Sequence, residues 1–557
     1  MEHAGTCEAC GETTSLQASP LPFDSEEMPR IIEHMRSHTW PPENSHFADV
    51  CLEGPKQLAQ YDAEIDQLQR KVDSLKEKRQ HLGTYVDACR SLFSAIRRLP
   101  NELLEKIFRM CSPLSARKMS DTDSPMQEAD RLAKRYLFEL TKVCSRWHGI
   151  VMNTPTLWSW VVVNPSLWLE PLHIEPPNKW DGHLRLLERS LEKSGACPLV
   201  VDFSVESIFS GAERALQMLM DQAGRWKRAY LRAPLDCFRN LGQLPMLELL
   251  HLSDDSSGDS DLYVFEAAPR LRHFEFRGLA SRVPRVPWSQ LESFLHWHVP
   301  MDPGELSSSL QLMHNLPNKG KFILDVDLDE LEPPFALHPI SSDLSALAML
   351  LTACFDTVDL KGILQSIFEA LTTPKLHTLE LHRNWDAPAI PFWPHDAFAG
   401  FVERSSLGKS LTCFEIHIRI TEGELLQCLA MFPLLETLVI SDCTKESESV
   451  LVTDTLLGRL TIKAEADATT PPLIPALHFF SVSSILRFSD EVYWEFLLSR
   501  LESGKAAEKP FQARLYWLEP TERTFSAEMS SRIVALVRER RLQFDMGRDP
   551  DEPRRPE

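Results

Sequence analysis

The feature that most constrains the fold is a six-residue pattern that recurs through the second half of the chain. The pattern is Leu-x-x-Leu-x-Leu, with other aliphatic or aromatic residues at some of the Leu positions. Copies begin at Leu247, Leu271, Ile323, Leu344, Leu376, Leu411, Leu435, Leu457 and Leu477. Most starts are separated by roughly twenty to the mid-thirties of residues, a range typical of stacked structural repeats. A chain of 557 residues has room for such an array and for further domains.

Helical patterns lie between several copies, as in GAERALQMLM, KGILQSIFEAL and TEGELLQCLAMF. A strand followed by a helix in each unit makes successive strands parallel. We therefore predict that residues 164–540 form an α/β solenoid, an irregular leucine-rich-repeat horseshoe. Leucine-rich repeats typically place Asn or Cys in the turn that follows the strand, and only two copies have such a residue, at Asn384 and Cys443. A doubly wound α/β domain is the alternative, although no Gly-rich phosphate loop supports it.

Residues 55–92 carry a heptad pattern. The first core position holds Leu58, Ile65, Val72, Val86 and Phe93, and the second holds Tyr61, Leu68, Leu75, Leu82, Cys89 and Ile96. Arg79 interrupts this series, and Gly83 is a possible bend. Two interpretations are open: a coiled coil that forms a homodimer through residues 55–98, or a single helix that folds back on the next domain.

Residues 93–163 read as two amphipathic helices followed by a Trp-rich turn and a strand. The first helix is predicted after Pro100 in IRRLPNELLEKIF. The polar residues 112–130 are predicted to form a loop, and the second helix ends before Thr154-Pro155. The two helices are either a plain core hairpin or a surface that docks on a partner.

The phrase LPxELLxxIF followed by VCxRWxxIxxxTPxLW resembles an F-box. From about Leu58 onward the chain resembles the F-box proteins of mushroom-forming (basidiomycete) fungi, in which irregular leucine-rich repeats follow the F-box. Phrases such as RWKRAYLR, FPLLETLVI and IPALHFFSV carry the second part of this resemblance. The long link at residues 112–130 and the segment 1–54 depart from it.

This resemblance implies the substrate-recognition subunit of an SCF-type, cullin-RING ubiquitin ligase, which docks on a Skp-type adaptor and recruits a protein client. The residues that match the adaptor-facing motif are Leu99, Pro100, Leu103, Leu104, Ile107, Phe108, Val143, Cys144 and Trp147. The alternative function is a leucine-rich-repeat scaffold that acts outside any ligase. Neither function needs an active site, so we expect no enzyme activity, no catalytic residue and no cofactor.

Strand alternation nominates a client-binding face on the predicted repeats. Residues between the apolar positions should point away from the core, and they include Glu275, Glu380, Glu415, His382 and His417. We expect the three glutamates to share one surface that meets a basic segment of the client. A solvated polar face without a partner is the other interpretation.

The remaining expectations are mostly exclusions. A net charge of −21 argues against nucleic-acid partners, and no apolar run is long enough to span a membrane. The 12 cysteines have no disulfide framework, which favours the cytoplasm or nucleus. Residues 1–54 and 541–557 are predicted to be disordered tails.

No metal site is predicted. Cys7 and Cys10 precede His34 and His38, but the spacing between the pairs is too long for a zinc finger. His296 and His298 are interpreted as a surface pair.

Overall fold

The computed structural model describes most of the chain. The described residues are 27–37, 47–111, 136–164, 178–205, 210–254, 262–297, 302–327, 331, 335–352, 360–383, 393–418, 420–441, 450–462, 473–502, 510–517 and 524–548. The predicted loop at 112–130 and the turn residues Asn384 and Cys443 lie outside these residues, as do Cys7, Cys10, His38 and His298. The chain forms two compact units, Met1–Leu104 and Glu105–Glu557.

The first unit is helical. Helix α1 spans Glu27–Ser37, α2 spans Phe47–Leu92, and a 3₁₀ turn over Ala95–Arg98 leads to α3, Asn101–Met110. Helix α2 continues through Gly83, so the glycine does not end it. None of the residues of α2 is buried.

The prediction of a disordered tail over residues 1–54 is wrong for 27–37 and 47–54. Met28, Ile31, Ile32 and Met35 recur at helical spacing in α1, a pattern that the polar composition of the segment obscured. Pro29 is tolerated because it lies in the first turn of that helix.

The boundary between the units falls within α3, and the second unit continues with two helices and a large sheet. Helix α4 covers residues 136–143 and α5 covers Ser145–Asn153. The fourteen strands of the sheet are β1 Trp160–Val163, β2 Leu199–Ser204, β3 Trp226–Arg232, β4 Leu249–Ser253, β5 His273–Arg277, β6 Ser293–Trp297, β7 Lys321–Asp327, β9 Ala346–Thr352, β11 Thr378–Arg383, β12 Cys413–Ile416, β13 Thr437–Ser441, β15 Phe479–Ser484, β17 Phe511–Trp517 and β18 Leu542–Arg548. Four two-residue strands form two further pairs: β8 Ile340–Ser341 with β10 Leu371–Thr372, and β14 Val452–Thr453 with β16 Leu486–Arg487.

The strands of the large sheet are arranged in chain order, and every pair of neighbouring strands is parallel. Parallel neighbours need a crossover between them. Helices supply some of these crossovers: α6 Asn178–Lys193, α7 Ser210–Met220, α8 Pro303–Gln311, α9 Leu360–Ala370, α10 His395–Ser405, α11 Glu422–Ala430, α12 Asp454–Leu460, α13 Asp490–Glu502 and α14 Ala527–Arg538. Short 3₁₀ turns such as Leu235–Phe238 and Val264–Ala267 serve others. The described part of this unit is therefore a parallel sheet with helical connections.

One continuous cluster of buried apolar side chains runs from Val161 to Leu542. Part of it is an aromatic ladder formed by Phe274, Phe294 and Phe322 on β5, β6 and β7. Their ring centroids are 5.2 and 5.7 Å apart because the three residues are in register on neighbouring strands. Such aromatic contacts add to the stabilisation from burial alone.

Eight of the nine recurring phrases coincide with strands of the sheet, and the helices predicted at GAERALQMLM, KGILQSIFEAL and TEGELLQCLAMF are confirmed as α7, α9 and α11. The copy at Leu457 is an exception, because LGRL belongs to α12. Leu457 and Leu460 are three residues apart, a spacing that also suits a helix face, and both are buried. The side chain of Thr453 caps this helix by accepting a hydrogen bond from the Thr455 backbone N–H.

The predicted disordered tail over 541–557 is wrong for residues 542–548. These residues form β18, which pairs with β17 along its whole length. Leu542 anchors the strand, since its side chain is 1% exposed. The strand was overlooked because it lacks the recurring leucine phrase.

Candidate functional site

Helix α3 carries four of the nine residues that match the adaptor-facing motif. Pro100 comes directly before the helix, and its carbonyl accepts the backbone N–H of Leu104 at 3.1 Å. Leu104 and Phe108, four residues apart, lie on one buried stripe, with 0% and 1% of their side chains exposed. Leu103 is on a different side of the helix and is 48% exposed.

Helices α4 and α5 meet at Cys144. This residue has extended backbone, and its Sγ accepts the backbone N–H of Trp147 at 3.5 Å, so it caps α5. The indole ring of Trp147 packs on Phe108 with ring centroids 4.8 Å apart. Val143, the last residue of α4, is 57% exposed.

The predicted adaptor-binding residues therefore have different surroundings. Pro100, Leu103 and Val143 are exposed. Leu99, Ile107, Cys144 and Trp147 are half-buried. Since Leu104 and Phe108 are buried, they stabilise the domain, and the exposed residues are the ones that can contact a partner without rearrangement.

The end of α5 joins this domain to the sheet. Thr154 Oγ1 donates to the Ile150 carbonyl at 2.7 Å, and Trp158 Nε1 donates to the Val151 carbonyl at 2.8 Å. Both bonds satisfy carbonyls that the helix end would otherwise leave without partners. The chain then enters β1, where Val161 and Val163 belong to the core.

Four of the five residues predicted to bind a client lie together on one face of the sheet. Glu380 and His382 are on β11, Glu415 is on β12, and His417 follows that strand directly. Glu380 and Glu415 are in register. Their side chains point away from the core, since the intervening Leu381 and Ile416 are buried.

Glu275 is separated from this group. It lies on β5, and the same row continues through Leu295, Ile323 and Ala348 on β6, β7 and β9 before it reaches Glu380. At about 4.8 Å per strand, the two glutamates are roughly 19 Å apart. The expected continuous surface of glutamates is therefore interrupted.

Glu275 has its own partner. His251 Nδ1 lies 2.8 Å from Glu275 Oε2, and the two residues are in register on β4 and β5. The carboxylate of Glu275 is largely buried in this pair, and the rings of Tyr230 and Trp297 lie near the imidazole, with centroids 6.1 and 6.0 Å away. Little of Glu275 remains accessible to a basic client segment.

Lys321 enters the second group from β7. Its ammonium donates to both carboxylate oxygens of Glu380, at 2.7 and 2.6 Å. His382 Nε2 lies 3.7 Å from Glu380 Oε2 and 3.8 Å from Glu415 Oε2. The rings of His382 and His417 have centroids 4.5 Å apart.

The two carboxyl groups in this cluster are not equivalent. Burial acts to raise the pKa of Glu380, but His382 and Lys321 outweigh it and keep that pKa below its ordinary value. Burial, followed by the charge of Glu380, raises the pKa of Glu415. Burial and the two glutamates together raise the pKa of the Cys413 thiol to about 12.

Among the described residues, His382, Glu415 and His417 form one group that could hold a metal ion. Each offers a donor atom, and these atoms all lie within 4.8 Å of one another. The sequence signal for this group is the Glu-x-His segment that occurs on both strands, but only the register of β11 and β12 brings the two segments together. Lys321 was missed because its partner is 59 residues away, on a strand that is not its neighbour.

His296 is buried, so its interpretation as part of a surface pair is wrong. Its Nε2 lies 2.8 Å from the Gly278 carbonyl, and its ring stacks near Phe276 and Phe294. Burial lowers the pKa of His296 to about 4. This residue therefore belongs to the interior of the protein and not to its surface.

Comparison with known families places an F-box-like domain at residues 96–164. This range covers α3, α4, α5 and β1, and therefore all the predicted adaptor-binding residues. A search of curated proteins finds no match to the chain. None of the described helices combines the length and apolar character needed to cross a membrane.

Proposed function

We propose that this chain is the substrate-recognition subunit of an SCF-type, cullin-RING ubiquitin ligase. The observation that carries the proposal is the F-box-like domain at residues 96–164. Exposed apolar side chains at Leu103 and Val143 within that range support it, since such side chains gain free energy when a partner covers them. In this role the domain docks on a Skp-type adaptor, which connects the chain to the cullin-RING enzyme.

The large sheet is, in the same proposal, an irregular leucine-rich-repeat solenoid that recruits the client. The support is that leucine-rich phrases coincide with parallel strands that follow one another in chain order. We assign client contact to the polar face that includes Glu380, Glu415, His382 and His417. Glu275 is a weaker candidate because His251 already pairs with it.

Such a subunit acts by positioning its client relative to the enzyme. By holding the adaptor at one domain and the client at another, the chain raises the local concentration of client lysines near the ubiquitin-charged enzyme. No group of the chain needs to take part in the chemistry. We also place the protein in the cytoplasm or nucleus, because the spacing of its 12 cysteines shows no disulfide framework.

Binding of the purified full-length chain to a Skp-type adaptor tests the proposal. The variant should combine Leu103→Asp with Val143→Asp, because both positions are exposed and the substitutions should leave the fold intact. Covering an aliphatic side chain is worth about 1.5–3 kcal/mol, so the dissociation constant should rise at least about a hundredfold for the pair. Biolayer interferometry against immobilised adaptor measures the change.

Val534→Asp is the matched control, since it places the same charge at an exposed valine on α14. This control should bind the adaptor like the parent protein. If the parent chain does not bind the adaptor, the chain acts outside such a ligase, as a leucine-rich-repeat scaffold would. If the double variant binds as tightly as the parent, the assignment of the docking residues is wrong.

A further inference from the structure

Two copies of the pattern Glu-x-His, each with an aliphatic middle residue, lie side by side on the polar face of the sheet. Glu380-Leu381-His382 is on β11, and Glu415-Ile416-His417 runs along and just past β12, 35 residues later in the chain. The register aligns Glu380 with Glu415, and the backbone N–H of His417 donates to the Leu381 carbonyl at 2.8 Å. Two glutamates and two histidines therefore form a compact group on rigid, paired backbone.

We propose that this group binds a divalent transition-metal cation, for which zinc is the best match, through His382, Glu415 and His417. Two imidazoles and one carboxylate are a common zinc ligand set, whereas magnesium and calcium prefer oxygen ligands throughout. Three protein ligands leave the fourth position of a tetrahedral ion for water. The side chains of His382 and Glu415 are each 27% exposed, so the ion can be reached from solvent.

The distances fit this assignment after small side-chain adjustments. Zinc bonds of about 2.0–2.2 Å place neighbouring ligand atoms about 3.4 Å apart in a tetrahedron. His382 Nε2 and Glu415 Oε2 are already 3.8 Å apart, and all three donor atoms lie within 4.8 Å of one another. Side-chain rotations that move the donor atoms by about an ångström close these gaps, and the strand pairing does not have to change.

The charges around the group also favour a cation. Lys321 engages both oxygens of Glu380, which makes Glu380 a neighbouring charge and not a ligand. Among the described residues, Glu415 forms its ion pair with His382, at 3.8 Å, and no ammonium contacts it as closely as Lys321 contacts Glu380. With neutral imidazoles the group contains one more carboxylate than ammonium, and a bound cation compensates that partly buried negative charge.

This inference does not rest on the proposed ligase function, since the ligands belong to the sheet and adaptor binding to the F-box-like domain. Zinc binding can therefore be present or absent whatever the outcome of the adaptor experiment. Cys7 and Cys10 form a CxxC pair whose thiolates also bind zinc, so they are removed before the test. The parent for the experiment is accordingly the full-length chain with Cys7→Ser and Cys10→Ser.

Zinc titration of the chelator-treated parent, in competition with a chromophoric chelator, tests the proposal. We expect one zinc per chain, and that equivalent should be lost when His382→Ala and His417→Ala are combined. Mutation of a residue that only hydrogen-bonds to a metal ligand typically weakens metal binding 10–100-fold. Removal of two ligands should weaken zinc binding by more than that. Glu415→Gln should weaken it as well.

His251→Ala is the matched control, because His251 also pairs with a glutamate across neighbouring strands but is not part of the group formed by His382, Glu415 and His417. This control should retain the parent affinity and stoichiometry. Thermal unfolding in excess chelator checks that each variant is folded. If the double histidine variant retains the parent affinity, or if the folded parent takes up no zinc, the proposal is overturned.

Discussion

At the scale of single residues, neighbours on α3 have opposite roles. Leu103 and Leu104 are adjacent in the sequence and identical in type, yet one is exposed and the other is buried. The sequence predicted both as docking residues, because the spacing of apolar residues indicates an apolar stripe on the helix but does not distinguish its buried residues from its exposed ones. A charged substitution at Leu104 would therefore test the stability of the domain and not its binding.

The two glutamates on the polar face allow a pH-dependent prediction. Because the folded state raises the pKa of Glu415, ionisation of this group costs folding free energy at pH values above that pKa. Glu415→Gln removes the cost, so the variant should unfold at a higher temperature than the parent at pH 7.5. Below the ordinary pKa of 4.5 the group is protonated in both states, and the difference should vanish.

Differential scanning calorimetry between pH 4 and pH 8, in chelator, measures this effect. Glu436→Gln is a suitable control because Glu436 is exposed and lies beside the next strand, β13. A variant that is no more stable than the parent at pH 7.5, or a difference that does not change with pH, would show that the charge of Glu415 does not oppose folding.

The contacts of the polar face were the least predictable part of the candidate site. Alternation along LHTLEL and LTCFEI was enough to predict that Glu380, His382, Glu415 and His417 point away from the core. The distance between Glu275 and Glu380 was harder to predict, because the phrases at Ile323 and Leu344 indicated two intervening strands while the degraded phrase of β6 hid the third. The pairing of Glu380 with Lys321 depends on the same strand order.

At the scale of secondary-structure elements, most strands were predictable from spacing and some were not. Leu376 and Leu411 begin phrases whose later positions alternate, which indicates a strand. The phrase at Leu457 shares the Leu-x-x-Leu spacing but follows Thr453 and Asp454, residue types that favour a helix start. Strands β2, β17 and β18 lack the leading leucine, so they could not be found by the recurring phrase.

Strand β18 supports a second prediction. Ending the chain after Arg541 should remove the partner of β17 and the buried side chain of Leu542. The loss should lower the free energy of unfolding by at least about 2 kcal/mol, since burial of one leucine contributes about that much. It also leaves β17 as an unpaired edge, which favours association between chains.

Chemical denaturation and light scattering of the truncated protein measure these two effects. A chain that ends after Arg548 retains β18 and is the matched control. Equal stability of the two truncated proteins would show that β18 contributes little to the sheet.

At the scale of the whole molecule, the apolar seam of α2 predicts self-association. None of its residues is buried, and the heptad positions Leu68 and Leu75 are exposed. A second copy of the same helix can cover such a seam, with a weak point where Arg79 interrupts it. We expect the full-length chain to form a concentration-dependent dimer in sedimentation velocity experiments.

The combination of Leu68→Asp and Leu75→Asp should shift that equilibrium to the monomer. Gln67→Asp with Ser74→Asp adds the same charges one position away from the seam and should leave the dimer unchanged. A parent chain that stays monomeric at all accessible concentrations would favour the other interpretation, in which α2 does not pair with a second copy.

The strict chain order of the strands in the large sheet has a consequence for how this part of the protein can evolve. Because each strand pairs only with the sheet strands next to it in sequence, a duplicated or deleted strand–helix unit would leave the registers of all other units unchanged. Gene rearrangements can therefore lengthen or shorten this part of the protein one unit at a time. The same order lets new surface chemistry arise in one unit while the amino-terminal helices are inherited without alteration.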